Sequence, residues 1–140
     1  TTISLSGHRY KNGNDYWVRP GDSVLVSIRA RDSVSGLYST NVRLYRNSSD
    51  EARSRYLFNS GSLDNYNTSS NIAVTSASNT YTSGSTREAT FTVVPSGSSH
   101  SWQVQRFARD IASNGIGWNY PGMRIRTDGI RPENDQTTVL

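Results

Sequence analysis

Apolar residues recur at every second position in several short stretches of the chain. Over residues 23–31, Val24, Val26, Ile28 and Ala30 alternate with Ser27, Arg29 and Arg31, and Leu25 alone falls out of step. A period of two belongs to a strand with one buried and one wet face. The same spacing returns in residues 86–94, where Ala89, Phe91 and Val93 oppose Thr90 and Thr92. Shorter alternations predict strands at 3–7 (Ile3, Leu5), 41–46 (Val42, Leu44), 56–58, 72–75 and 123–127 (Met123, Ile125). Residues 101–109 place Trp102, Val104 and Ala108 on one face, but Arg106 shares it. A charge on an inward face is costly unless paired, so this position predicts a bulge, an edge strand or a partner carboxylate.

Turn chemistry punctuates these runs. Arg19-Pro20-Gly21-Asp22, residues 32–36, Pro95-Ser96-Gly97 and the Gly- and Asn-rich residues 110–119 all read as turns or loops. Residues 59–70 are too polar to supply a core face and read as a loop. Seven or eight short strands separated by turns predict an all-β sandwich without helices. The sandwich is expected to span residues 1–128, with 129–140 as a linker or tail.

Composition agrees with this. The chain carries 23 Ser, 13 Thr and 12 Asn among its 140 residues, and such side chains compete with the backbone hydrogen bonds of a helix. There is no cysteine, which removes disulfides, thiolate catalysis and cysteine-bound zinc. No stretch approaches the ~20 apolar residues of a membrane helix, and no apolar N-terminal run suggests a signal peptide that is still attached. The pattern opens and closes midway, as in a domain cut from a longer protein. The net charge of +4 comes from fourteen Arg and one Lys spread along the chain and interleaved with acids. This scatter does not favour nucleic acid as a partner.

Four segments, in order, resemble a bacterial immunoglobulin-like domain, of the kind strung along surface proteins, secreted enzymes and phage virions. They are Trp17-Val18-Arg19-Pro20-Gly21-Asp22-Ser23-Val24, Arg31-Asp32-Ser33-Val34-Ser35-Gly36, residues 102–115, and Ile125-Arg126-Thr127-Asp128 ahead of Pro132. The third departs from the family pattern, reading Ser113-Asn114-Gly115 where the family tends to Gly-Asn. The resemblance implies an immunoglobulin-like antiparallel β-sandwich. Residues 46–86 are longer than such a domain needs, so they predict extra strands or a functional excursion.

Catalysis finds little support in these residues. His8 and His100 are far apart, and no nucleophile elbow or zinc-protease motif occurs. The carboxylate pairs Asp50/Glu51 and Glu133/Asp135 sit in polar sequence and read as exposed charges. The expected role is therefore non-enzymatic: an extracellular, cell-surface or virion-exposed module that spaces or attaches, next to neighbouring domains. If the implied topology holds, Asp32 and Asp110 end strands at one pole with Asn114 nearby, a candidate calcium set; the plainer reading has both Asp cap their own turns. The alternative function is carbohydrate binding through exposed aromatics; the expected partners beyond neighbouring domains are a glycan or a surface protein. The candidates are Trp17 and the Trp118-Asn119-Tyr120 cluster, with Tyr16, Tyr38, Tyr66 and Tyr81 also beside turn sequence. Against this, Trp102 reads as core, Trp17 and Trp118 as plugs at the sandwich ends, and the tyrosines as cover for its outer faces. Residues 59–86 also offer edge strands to a partner chain.

Overall fold

Alternating side chains need a second layer to cover them, and the chain supplies it by folding two sheets face to face. A computed structural model describes residues 1–115 and 118–130. The strands are β1 (Thr2–Ser6), β2 (Tyr10–Asn12), β3 (Asp15–Val18), β4 (Val24–Arg31), β5 (Leu37–Asn47), β6 (Asp50–Leu57), β7 (Ser62–Asn67), β8 (Ile72–Ser83), β9 (Thr86–Pro95), β10 (Ser101–Asp110) and β11 (Arg124–Thr127). One sheet runs β1-β4-β9-β8 and the other β2-β3-β11-β10-β5-β6-β7. All pairings are antiparallel except β3 with β11. This is the strand order of an immunoglobulin sandwich of the variable type, in which two strands extend the sheet beyond its third-strand position. No helix among the described residues is long and apolar enough to cross a membrane.

The extended middle segment is thereby accounted for. After β5 the chain turns back as β6 and again as β7, widening the seven-stranded sheet, and then crosses to the other sheet as β8. Half of the expected loop at 59–70 is β7. Its side chains are exposed except for a half-buried Leu63, so no apolar alternation marks it. Its register with β6, from Ala52↔Asn67 to Leu57↔Ser62, holds it in place. Strand β8 likewise runs well past residue 75, because β9 pairs with it as far as Ser83↔Thr86 across two bulges.

The core lies between the layers. Val26, Ile28 and Phe91 of one sheet meet Leu44, Val104 and Ile125 of the other, all excluded from solvent, with Trp102 among them. At the end of β1 the chain switches sheets through Gly7, whose φ is +86°. A Cβ there would stand 2.7 Å from the Ser23 carbonyl oxygen, so only glycine fits.

Arg106 meets none of the three expectations. Strand β10 is interior, its register with β5 runs unbroken through Arg106↔Val42, and the irregularity comes later, at Arg109/Asp110. No carboxylate pairs with Arg106 among the described residues. The position is tolerated because β11 stops pairing at Gln103↔Arg124. Beyond that point, Asn119 of the following loop exchanges both backbone hydrogen bonds with Arg106 at 2.9 Å, and the side chain is half buried, with its Nε enclosed and without a hydrogen-bond partner among the described residues.

Asp50 and Glu51 also depart from expectation, since both are buried at the start of β6. Asp50 accepts hydrogen bonds from the Ser69 hydroxyl and, at 2.9 Å, from Arg46. Burial pushes its carboxyl up, but Ser69 and Arg46 outweigh that and hold it below the usual range.

Candidate functional site

Pairing alone decides which polar residues share a surface. Val42 and Leu44 of β5 point inward, so Asn41, Arg43 and Tyr45 point out. On β6 the outward set is Glu51, Arg53 and Arg55, and on β7 it is Asp64 and Tyr66. Strand β10 adds Gln103, Gln105, Phe107 and Arg109, β11 adds Arg124 and Arg126, and β3 adds Asp15 and Trp17. The outer face of the seven-stranded sheet therefore carries Arg43, Arg53, Arg55, Arg109, Arg124 and Arg126 against three carboxylates, Asp15, Glu51 and Asp64.

The register sets Arg43 directly opposite Arg53, a like-charge pair that destabilises a sheet. Glu51 resolves it. Its carboxylate is 2% exposed and accepts Arg43 Nη2 at 2.7 Å, Arg43 Nε at 3.2 Å and Arg53 Nε at 2.5 Å. Burial pushes the Glu51 carboxyl up, but the two guanidinia outweigh it and hold it below the usual carboxylate range. Arg43 also reaches Gln105 Oε1 at 3.5 Å.

Aromatic rings cover these cations. The Arg43 guanidinium lies 4.4 Å from the Tyr45 ring centre and 6.0 Å from that of Trp118. Arg53 lies 5.3 Å from Tyr66, Arg109 5.5 Å from Phe107 and Arg126 4.9 Å from Trp17. Such stacking fixes a guanidinium in place while leaving its edge free. Trp118 comes from the loop after β10 and tilts against Phe107, with ring centres 5.6 Å apart. Gly115 makes this approach possible: a Cβ there would fall 2.4 Å from Phe107 Cζ.

Between Trp118 and Tyr66 lies an open cleft of about 320 Å³, lined also by Asn41, Arg53, Arg55 and Asp64. Tyr66 is 59% exposed and Trp118 36%. Arg55 and Asp64 close one side as an ion pair of 2.6 Å.

Of the aromatic candidates, Trp118 and Tyr66 line this cleft. Asn119 is committed through its backbone to Arg106, and the Tyr120 hydroxyl accepts Arg124 Nε at 2.8 Å. Trp17 is half buried on β3, with β11, β10 and β5 between it and the β6–β7 part of the face. Neither Trp17 nor Trp118 plugs an end of the sandwich; both lie on its outer face, while Trp102 is in the core as expected. The residues that sequence reasoning missed are Arg43, Glu51, Arg53 and Arg55. Their signal is a charge at every second position of β6, Glu51, Arg53 and Arg55, with a lone Arg43 on β5, and it acquires meaning only once the β5–β6 register is known.

The structure does bring Asp32, Asp110 and Asn114 together, in a cleft of about 200 Å³ where β4 and β10 end. Asp32 Oδ1 accepts the backbone amides of Val34, Ser35 and Gly36 at 2.9, 3.0 and 3.3 Å. The Val34 amide above all holds this carboxyl below its usual range, helped by Ser35, Gly36 and the adjacent Asp110 against the cost of burial. Asp110 receives the Asn114 amide at 2.8 Å and its side-chain nitrogen at 3.1 Å. These are two turn caps facing each other. Calcium takes six to eight oxygens, and this set offers few that are free. The described residues contain no group of three His, Asp or Glu able to hold a metal. His8 and His100 stand apart, each edge-on to an aromatic ring, Tyr16 and Trp102 respectively.

No protein-family model matches this chain, and no curated protein sequence matches it either.

Proposed function

We propose that this chain is a non-enzymatic immunoglobulin-like attachment module of a cell-surface, secreted or virion protein, and that it binds a glycan on the outer face of its seven-stranded sheet. One observation carries the reading: two partly exposed aromatic side chains, Trp118 and Tyr66, line one open cleft together with hydrogen-bonding side chains. Sugar rings present apolar C–H faces that stack on aromatics, while amides and guanidinia read their hydroxyls. A spacing role suits the same architecture. Thr2 lies beside Arg29 at the pole where β4 ends, and Thr127 lies beside His100 at the opposite pole. The experiment is a glycan array or cell-wall pulldown with the intact protein and with Trp118→Ala. Retention that falls about tenfold or more in the variant, with an unchanged melting temperature, is the expected result. If the intact, folded protein is retained by no glycan, the reading fails and the spacer role alone remains.

A further inference from the structure

We infer that the glycan is anionic, and that Arg53 reads its acidic group in the cleft between Trp118 and Tyr66; the inference rests on the glycan reading above. Beside the cleft a single carboxylate, Glu51, serves two guanidinia, Arg43 and Arg53, of which Arg53 lines the cleft. Glu51 takes both Nε and Nη2 of Arg43 but only Nε of Arg53. The two terminal nitrogens of Arg53 have no acceptor among the described residues, and its side chain is 41% exposed. Its Cζ lies over the Tyr66 ring, 5.3 Å from the ring centre, a second contact that restrains the guanidinium. A guanidinium tethered on one side, with its terminal N–H groups free, is matched by the two oxygens of a carboxylate or by a sulfate, which accept them as a pair. Asp64, the one carboxylate lining the cleft, does not oppose this, because Arg55 neutralises it at 2.6 Å. A neutral sugar would satisfy the ring faces and leave those terminal donors to water.

Three probes separate the alternatives: polygalacturonate, its methyl ester, and dextran sulfate, each titrated against the intact protein at low and high salt. Polygalacturonate, dextran sulfate or both should bind about tenfold or more tightly than the ester, and the advantage should shrink as salt rises. Binding of only one polyanion assigns the acidic group as carboxylate or as sulfate. Arg53→Gln should erase the advantage over the ester. Arg53→Lys, which keeps the charge opposite Glu51 and guards against a folding defect, should retain part of it, while Trp118→Ala weakens whatever binding there is. Equal binding of acid and ester that remains sensitive to Trp118→Ala would leave the glycan reading standing and overturn the anionic one. An advantage unaffected by Arg53→Gln would also overturn the role given to Arg53. No binding of any glycan removes both.

Discussion

On the four-stranded sheet the outer face is tiled with short hydroxyls, and on the seven-stranded sheet with long planar groups. Thr90 Oγ1 lies 2.7 Å from Ser27 Oγ and 2.8 Å from Thr80 Oγ1, and Thr80 also donates to Glu88 at 2.7 Å. Glu88 in turn takes Arg29 at 3.1 Å, and Arg29 stacks 3.9 Å from the Tyr81 ring centre. Hydroxyls that both donate and accept close their own network and stand little above the backbone. The opposite face has Arg43, Arg53 and Trp118 standing over a single buried carboxylate, with donors and ring faces left over. Both faces obey one alternation rule. What separates them is side-chain length and the ratio of donors to acceptors, and those decide which face has anything to offer a ligand.

The largest expected difference is in stability. Glu51→Gln removes the charge that reconciles Arg43 with Arg53 and should cost about 2 kcal/mol, less than the ~3–5 kcal/mol of a fully enclosed pair because both guanidinia reach water. Thr90→Val on the other face should cost less than about 1 kcal/mol, since Ser27 and Thr80 can turn to water. Urea melts of the two variants check this, and equal losses would erase the contrast between the faces. Next comes acid. Glu51, Asp50 and Asp22, the last through its hydrogen bond with Arg9, all have carboxyls held below their ordinary values. Their contribution is complete above the usual carboxylate range, about pH 4, and is lost as pH falls through their folded values. The melting temperature should therefore drop below about pH 4, and Glu51→Gln should show a shallower drop. A decline that starts near neutrality would point to other groups. The smallest effect is expected at the Asp32–Asp110 pole, where millimolar calcium against EDTA should move the melting temperature by less than about 2 °C. A larger rise that Asp110→Asn abolishes would make the two caps a cation site.

The core was readable because buried aliphatics at period two leave a mark in the sequence: β4, β9 and β10 all lie where Val26, Phe91 and Val104 placed them. The juxtaposition of Asp32 with Asp110 followed from topology, once turn signals marked both strand ends. Strands β2, β3 and β7 were invisible. β2 and β7 are exposed and held by pairing, and β3 is only four residues long, too short for its two buried residues, Tyr16 and Val18, to show a period. The cleft was only partly legible for the same reason. Trp118 stands out in a loop, whereas Arg53, Glu51 and Tyr66 become neighbours only through the β5–β6–β7 register. Alternation places a residue on the wet side of a strand without saying which residues of other strands lie beside it.

The parallel pairing of β3 with β11 has a mechanical consequence. Asp15, Tyr16, Trp17 and Val18 lie against Arg124, Ile125, Arg126 and Thr127 in the same direction, with backbone bonds at either end from Arg124 to Asn14 and from Asp128 to Val18. Tension applied before β3 and after β11 would slide these strands past one another. All their hydrogen bonds would bear the load together, instead of parting one by one as in a peeled hairpin. Arg126, bonded to Asp15 at 3.1 Å, rivets the same seam.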